Sequence, residues 1–120
     1  MKIAISSTGT TLGSKIDPRF GRCPYFILVD ENSGEVEPIA NPAANAMGGG
    51  GPQAVQNLSE RKVGVVITGN LGPNAARSLD ALGIKAYRFE NGTVKEAIED
   101  YKAGKLTPFS GATVKGHHGG

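Results

Sequence analysis

Tryptophan is absent, and phenylalanine and tyrosine together make up only 6% of the chain. So sparse a set leaves little for the stacking platforms that hold single-stranded nucleic acid. A single cysteine is present, which rules out an internal disulfide framework and points to a reducing, cytoplasmic compartment. No sign of charge dominates: 13 basic against 11 acidic residues leave a net +2, and no basic run exceeds the pair Arg61-Lys62. The basic stripe expected of a nucleic-acid binder is therefore missing. No apolar stretch approaches the ~18 residues of a membrane span, and Met1-Lys2-Ile3-Ala4-Ile5-Ser6 reads as a short strand rather than a signal peptide. Histidine occurs only as His117 and His118. Ser6, Ser7 and Thr8 thus lack a nearby partner base, and a serine hydrolase is not expected.

Glycine is abundant, at 18 of 120 residues. It concentrates at residues 9–21, 48–51 and 69–72 and in the last ten positions. Glycine lets backbone amides approach a ligand closely. The length suits one domain, read here as residues 1–108, followed by a flexible glycine- and histidine-bearing tail over residues 109–120. Adjacent imidazoles can bind a divalent metal, so His117 and His118 are candidate metal ligands, against the plainer reading of a floppy terminus.

The patterning predicts an α/β fold. Residues 2–6 form a first strand. Residues 25–30, rich in aromatic and branched side chains, form a second, and residues 35–40 a third, placed at a sheet edge by Pro38. A loop over residues 41–51 leads to a helix opening at Pro52, with Ala54, Val55 and Leu58 on one face. The nearly continuous apolar run at residues 63–68 marks a strand covered on both faces. A second helix opens at Pro73, with Ala75, Ala76, Leu79 and Leu82 as its core stripe, and closes at Gly83. Residues 84–89 are a fifth strand. Thr93 and Glu96 form a capping box for a third helix lined by Val94, Ala97, Ile98 and Tyr101. Three strands followed by alternating helices and strands give a mixed sheet with helices on both faces.

If strand two is antiparallel to strand one, and strand four parallel to it, several loops meet at one sheet edge. These are Ser6 and Ser7, the segment Asp17-Pro18-Arg19-Phe20-Gly21-Arg22-Cys23, the glycines Gly49, Gly50 and Gly51, and the turn Gly69-Asn70-Leu71-Gly72 with Asn74 beyond it. Ligands of open α/β sheets bind at such an edge. Helix starts near Pro52 and Pro73 aim free amides and positive dipole ends there. Arg19 and Arg22 can hold an anion through forked hydrogen bonds, or Arg19 can simply pair with Asp17. Positive charge beside Cys23 favours its thiolate, a metal ligand; the alternative is a small residue packed as a hydrophobe. Residues 69–74 lack the Gly-Lys-Ser/Thr of a Walker motif.

These residues resemble the dinitrogenase iron–molybdenum cofactor biosynthesis family. The likeness rests on Met1-Lys2-Ile3-Ala4-Ile5, Phe20-Gly21-Arg22, the glycines before Pro52, and Val65-Val66-Ile67-Thr68-Gly69-Asn70-Leu71-Gly72-Pro73-Asn74-Ala75. It continues through Gly83-Ile84-Lys85, Gly92-Thr93-Val94-Lys95-Glu96-Ala97 and Tyr101-Lys102-Ala103-Gly104-Lys105-Leu106. The segment from Asp17 to Cys23 is similar to a branch common in anaerobes that includes the orange proteins of sulfate reducers. The resemblance implies a three-layer ribonuclease-H-like fold with a five-stranded sheet, order 3-2-1-4-5, strand two antiparallel. It implies non-catalytic binding of a metal–sulfur cluster, of the molybdenum–copper sulfide or iron–molybdenum precursor type. It also implies cofactor-assembly or redox partner proteins, with the chain a monomer or weak dimer. Many relatives carry a histidine where Arg19 stands and another where Gly48 to Gly51 stand. Charge and hydrogen bonds therefore suit the cluster better than direct coordination. The competing readings are a small-anion or nucleotide-binding enzyme or regulator using the same glycine-rich edge, and a protein-interaction module.

Overall fold

The computed structural model describes residues 1–45 and 50–109. The elements are β1 (Lys2–Ser7), β2 (Tyr25–Asp30), β3 (Val36–Ala40), α1 (Gly50–Glu60), β4 (Val63–Thr68), α2 (Pro73–Ala81), β5 (Lys85–Arg88), α3 (Val94–Lys102) and β6 (Thr107–Pro108). They form one mixed sheet in the order β3-β2-β1-β4-β5-β6. β1 runs antiparallel to β2 and parallel to β4, and β2–β3 is antiparallel. β5 is parallel to β4 and antiparallel to β6.

Strand alternation assigns the side chains to two cores, one on each face of the sheet. Ala4, Phe26, Leu28 and Val66 pack with Ala54, Val55 and Leu58 of α1 and with Ala75 and Leu79 of α2. Ile3, Ile5, Ile27, Val29, Val65 and Ile67 pack with Val94, Ala97 and Ile98 of α3. The central strands β1 and β4 are therefore buried on both faces, as their unbroken apolar runs require. β3 is the outer strand on its side, where Pro38 costs no interior ladder bond. The capping box of α3 is present, with the Thr93 hydroxyl accepting from Glu96 N at 3.2 Å and Glu96 Oε1 accepting from Thr93 N at 2.8 Å.

Three expectations need correction. The sheet has six strands, not five: β6 is a two-residue strand, too short to show a period. It is held by Phe109 N donating to Ala86 O at 2.9 Å and by Phe109 packing on the first core. α1 begins at Gly50, two residues before Pro52. Leu82 does not belong to the core stripe of α2; it is the C-cap, 49% exposed, on the far side of a turn completed by Gly83 at φ 71°.

Candidate functional site: a cationic turn at the carboxyl edge of the sheet

The pairings Ser7 with Tyr25 and Tyr25 with Ala40 put the end of β1, the start of β2 and the end of β3 at one edge. The end of β4 joins them, parallel to β1. The segment 17–23 crosses this edge and is tied down along its length. Asp17 N donates to Ser6 O at 3.0 Å. The Ser6 hydroxyl donates to Asp17 O at 2.6 Å and shares a 2.7 Å hydrogen bond with the Thr68 hydroxyl. Asn70 N donates to Pro18 O at 2.9 Å, and Arg19 and Asn70 form a parallel bridge. Phe20 is buried, its ring 5.4 Å from that of Phe26.

Glycine permits the closest approaches. A Cβ on Gly69 would stand 2.7 Å from Pro18 Cβ, and one on Gly21 would stand 2.9 Å from Gly51 N. One on Gly51 would stand 2.8 Å from Ala75 Cβ. The segment thus packs on the backbone at the start of α1, and Gly51 of α1 packs against Ala75 near the start of α2. Gly50 and Gly51 open α1. Gly49, His117 and His118 lie outside the described residues.

Arg19 does not stand free. Its amide and Nε both donate to Asp17 Oδ1, at 2.9 and 3.0 Å, and Nη2 donates to Oδ2 at 2.8 Å. The Asp17 side chain is 4% exposed and that of Arg19 63%. Burial alone would push the Asp17 carboxyl up. Hydrogen bonds from the Arg19 side chain and amide, with the guanidinium charge, outweigh it and hold the carboxyl below its ordinary 3.8. Arg22 differs. Its amide donates to Arg19 O at 3.1 Å, closing the turn, and its side chain is exposed. No ion pair among the described residues involves it.

Of the two readings of Cys23, its burial is that of a small residue packed as a hydrophobe. Cys23 has no exposed surface and belongs to the core beneath α1 and α2. Burial, and secondarily the Asp17 charge, push its pKa up to about 12. Its Sγ lies 3.4 Å from Phe20 O. Ser6 and Ser7 are buried as well, and both hydroxyls have backbone partners, Ser7 with Gly9 O at 2.8 Å. Leu71 turns its side chain into the core. Asn70 and Asn74 are exposed, and the Asn74 side chain accepts from Arg77 Nη2. Gly72 is the N-cap of α2 and supplies no side-chain cap to its positive end.

Two residues were not singled out from sequence. Asn41 is buried and joins the chain after β3 to the segment: Nδ2 donates to Cys23 O at 2.9 Å and Oδ1 accepts from Ala43 N at 3.0 Å. An Asn just past a strand is the available signal, since Asn favours such local backbone bonds. Thr68, the last residue of β4, links β4 to the segment through Ser6. No group of three or more His, Cys, Asp or Glu side chains gathers as a metal site among the described residues. A groove of about 880 Å³ lies between α2 and β5–β6, with Leu71 and Pro73 on its wall; Arg19, Arg22 and Cys23 do not line it.

Residues 1–104 match the family model described as dinitrogenase iron-molybdenum cofactor, and the chain belongs to that family. It is 33% identical to an uncharacterized protein of Methanocaldococcus jannaschii, over 91% of this chain and 92% of that one. Among solved structures it is similar to the apo form of the orange protein from Desulfovibrio gigas, with a TM-score of 0.89 and 34% identity over 93% of this chain and 95% of that one. A Thermotoga protein of the DUF35 family matches with a TM-score of 0.85 and 43% identity, over 96% and 98% of the two chains. Among the described residues, no helix is long and apolar enough to cross a membrane.

Proposed function

We propose that this protein carries an anionic metal–sulfur cluster as cargo at the carboxyl edge of its sheet, without transforming it catalytically. The observation that carries this reading is the exposed turn bearing Arg22, whose guanidinium has no carboxylate partner among the described residues. That turn sits against the start of α1, which in turn abuts the start of α2, a helix without a side-chain cap. Guanidinium donors and helix-end amides together favour negative charge. Membership of a family named for a molybdenum–iron cofactor supports a cluster over a simple anion. The donor set fits outer-sphere binding. The buried, protonated Cys23 is left to packing, and among the described residues the edge offers charge and amides rather than gathered ligand side chains. A thiomolybdate-type cluster, bearing its own sulfide ligands, needs no more than this from a protein. Molybdenum–copper sulfide and iron–molybdenum precursor clusters both meet that description.

Anaerobic reconstitution tests the proposal. The full chain is incubated with tetrathiomolybdate and copper, or with iron and sulfide, then desalted. Visible charge-transfer bands and co-eluting metal are expected. A colourless protein without retained metal in both reconstitutions refutes the reading.

A further inference from the structure

We propose, resting on the anion-binding reading above, that Asp17 sets the charge this edge presents: by neutralising Arg19 it leaves Arg22 as the guanidinium that meets the ligand, and it thereby limits which anion charge the site accepts. The pairing is geometric before it is electrostatic. Both carboxylate oxygens engage the guanidinium in a fork, and one of them also takes the Arg19 amide. The carboxylate is almost fully buried, so solvent screens the pair little from that side. The Asp17 backbone is fixed at both its groups, its amide on Ser6 O and its carbonyl on the Ser6 hydroxyl. Arg19 cannot turn its Nε and Nη2 to a ligand without stripping the buried carboxylate of its counter-charge, which is costly. Arg22, three residues on, carries no such restraint among the described residues. Asp17 is a positioning residue in this scheme. Its charge subtracts from the site while its hydrogen bonds shape the turn.

The competing view is that Asp17 merely braces the turn and that both arginines touch the anion. Four variants separate the two: Asp17→Asn, Arg19→Gln, Arg22→Gln and the double Asp17→Asn/Arg19→Gln. Asparagine keeps one oxygen as acceptor for the Arg19 amide and Nε, removes the charge, and turns the Nη2 acceptor into an amide donor, so the fork is broken as well. Binding of tetrathiomolybdate, and separately of inorganic phosphate, is measured by equilibrium dialysis at low and moderate salt. Arg22→Gln is expected to bind at least about tenfold more weakly. Asp17→Asn is expected to bind about fivefold more tightly, with a steeper salt dependence that a purely structural role would not produce. The double variant exchanges a neutral pair for a neutral pair and is expected to stay within about twofold of the wild type. Arg19→Gln alone leaves the Asp17 charge uncompensated and is expected to weaken binding. Should that variant fail to fold, Asp17→Asn and the double variant still decide. The proposal is overturned if Asp17→Asn binds no more tightly, or if the double variant is as weak as Arg22→Gln. If the wild type retains phosphate but no tetrathiomolybdate, the cluster reading fails and the phosphate series decides the charge assignment by the same pattern. A wild type that binds neither probe overturns both.

Discussion

Replacing Gly21 by alanine tests whether the edge is held together by backbone contact. The added Cβ would lie 2.9 Å from Gly51 N, 3.1 Å from Gly51 Cα and 3.2 Å from Gly50 C. All three are main-chain atoms at the start of α1, which in turn presses on Ala75 of α2. No side chain can rotate away, so the turn must shift outward or α1 must move. Overpacking of this kind costs about 1–3 kcal/mol. Alanine also restricts the unfolded chain, which returns about 0.4–1 kcal/mol. A net loss of about 1–2 kcal/mol follows. At roughly 4 °C per kcal/mol for a domain of this size, thermal unfolding should fall by about 4–8 °C. Gly13→Ala is the control: its nearest neighbour would be Thr11 Oγ1 at 3.8 Å, an ordinary contact. Its melting temperature should equal that of the wild type or exceed it slightly. Circular dichroism melts of the three proteins under one buffer give the comparison. A Gly21→Ala protein that melts within about 1 °C of the wild type would falsify the contact. The same variant should weaken tetrathiomolybdate binding, because the displaced turn carries Arg22.

Other outcomes follow from the same geometry. At pH 8 a thiol titrating at about 12 is ionised in roughly one molecule in ten thousand, against about one in ten for an ordinary 9.0. Iodoacetamide should therefore label Cys23 at least about a thousandfold more slowly in the folded protein than in urea, read by mass spectrometry; equal rates would contradict the burial. Because folding raises that pKa, its contribution to stability is complete below pH 9 and declines from there toward 12. Asp17 behaves oppositely. Its pKa is lowered on folding, so its contribution is present above about 3.8 and lost as the pH falls below that value, and Asp17→Asn should show a shallower acid unfolding curve. Leu79, 2% exposed, should lose about 2–5 kcal/mol on truncation to alanine in urea melts, while Leu82→Ser should stay within about 0.5 kcal/mol. Asn41→Ala leaves the Cys23 carbonyl and the Ala43 amide without their side-chain partner and should cost about 1–3 kcal/mol by the same assay.

The sheet was legible because its central strands must be apolar on both faces. The shortness and branched side chains of residues 63–68 favour a buried strand, and once β1 and β4 were parallel the convergence of the loops followed from topology. β6 was not legible: two residues, one of them proline, carry no period, and their position depends on Phe109 reaching the core. Leu82 misled because helical spacing continues one step beyond the last helical residue, where Gly83 has already reversed the chain.

The site was half legible for a related reason. Sequence adjacency placed Cys23 next to Arg22 and suggested that the charge acts on the thiol. In the turn closed by Arg22 N on Arg19 O, however, neighbours point to opposite sides. Phe20 and Cys23, three apart, both face the core, as residues at that spacing do in a single helical turn. Arg22 between them faces out. An apolar pair at that spacing was the signal for a buried thiol, and it outweighs nearby charge because desolvation acts at zero distance. Asp17 repeats the lesson with the sign reversed. The sequence allowed its pairing with Arg19 but did not show its depth: the carboxylate is buried and takes both the Arg19 fork and the Arg19 amide. A cationic segment therefore has to be counted by its partners in space, and here that count leaves Arg22 as the arginine of the segment without a carboxylate partner among the described residues.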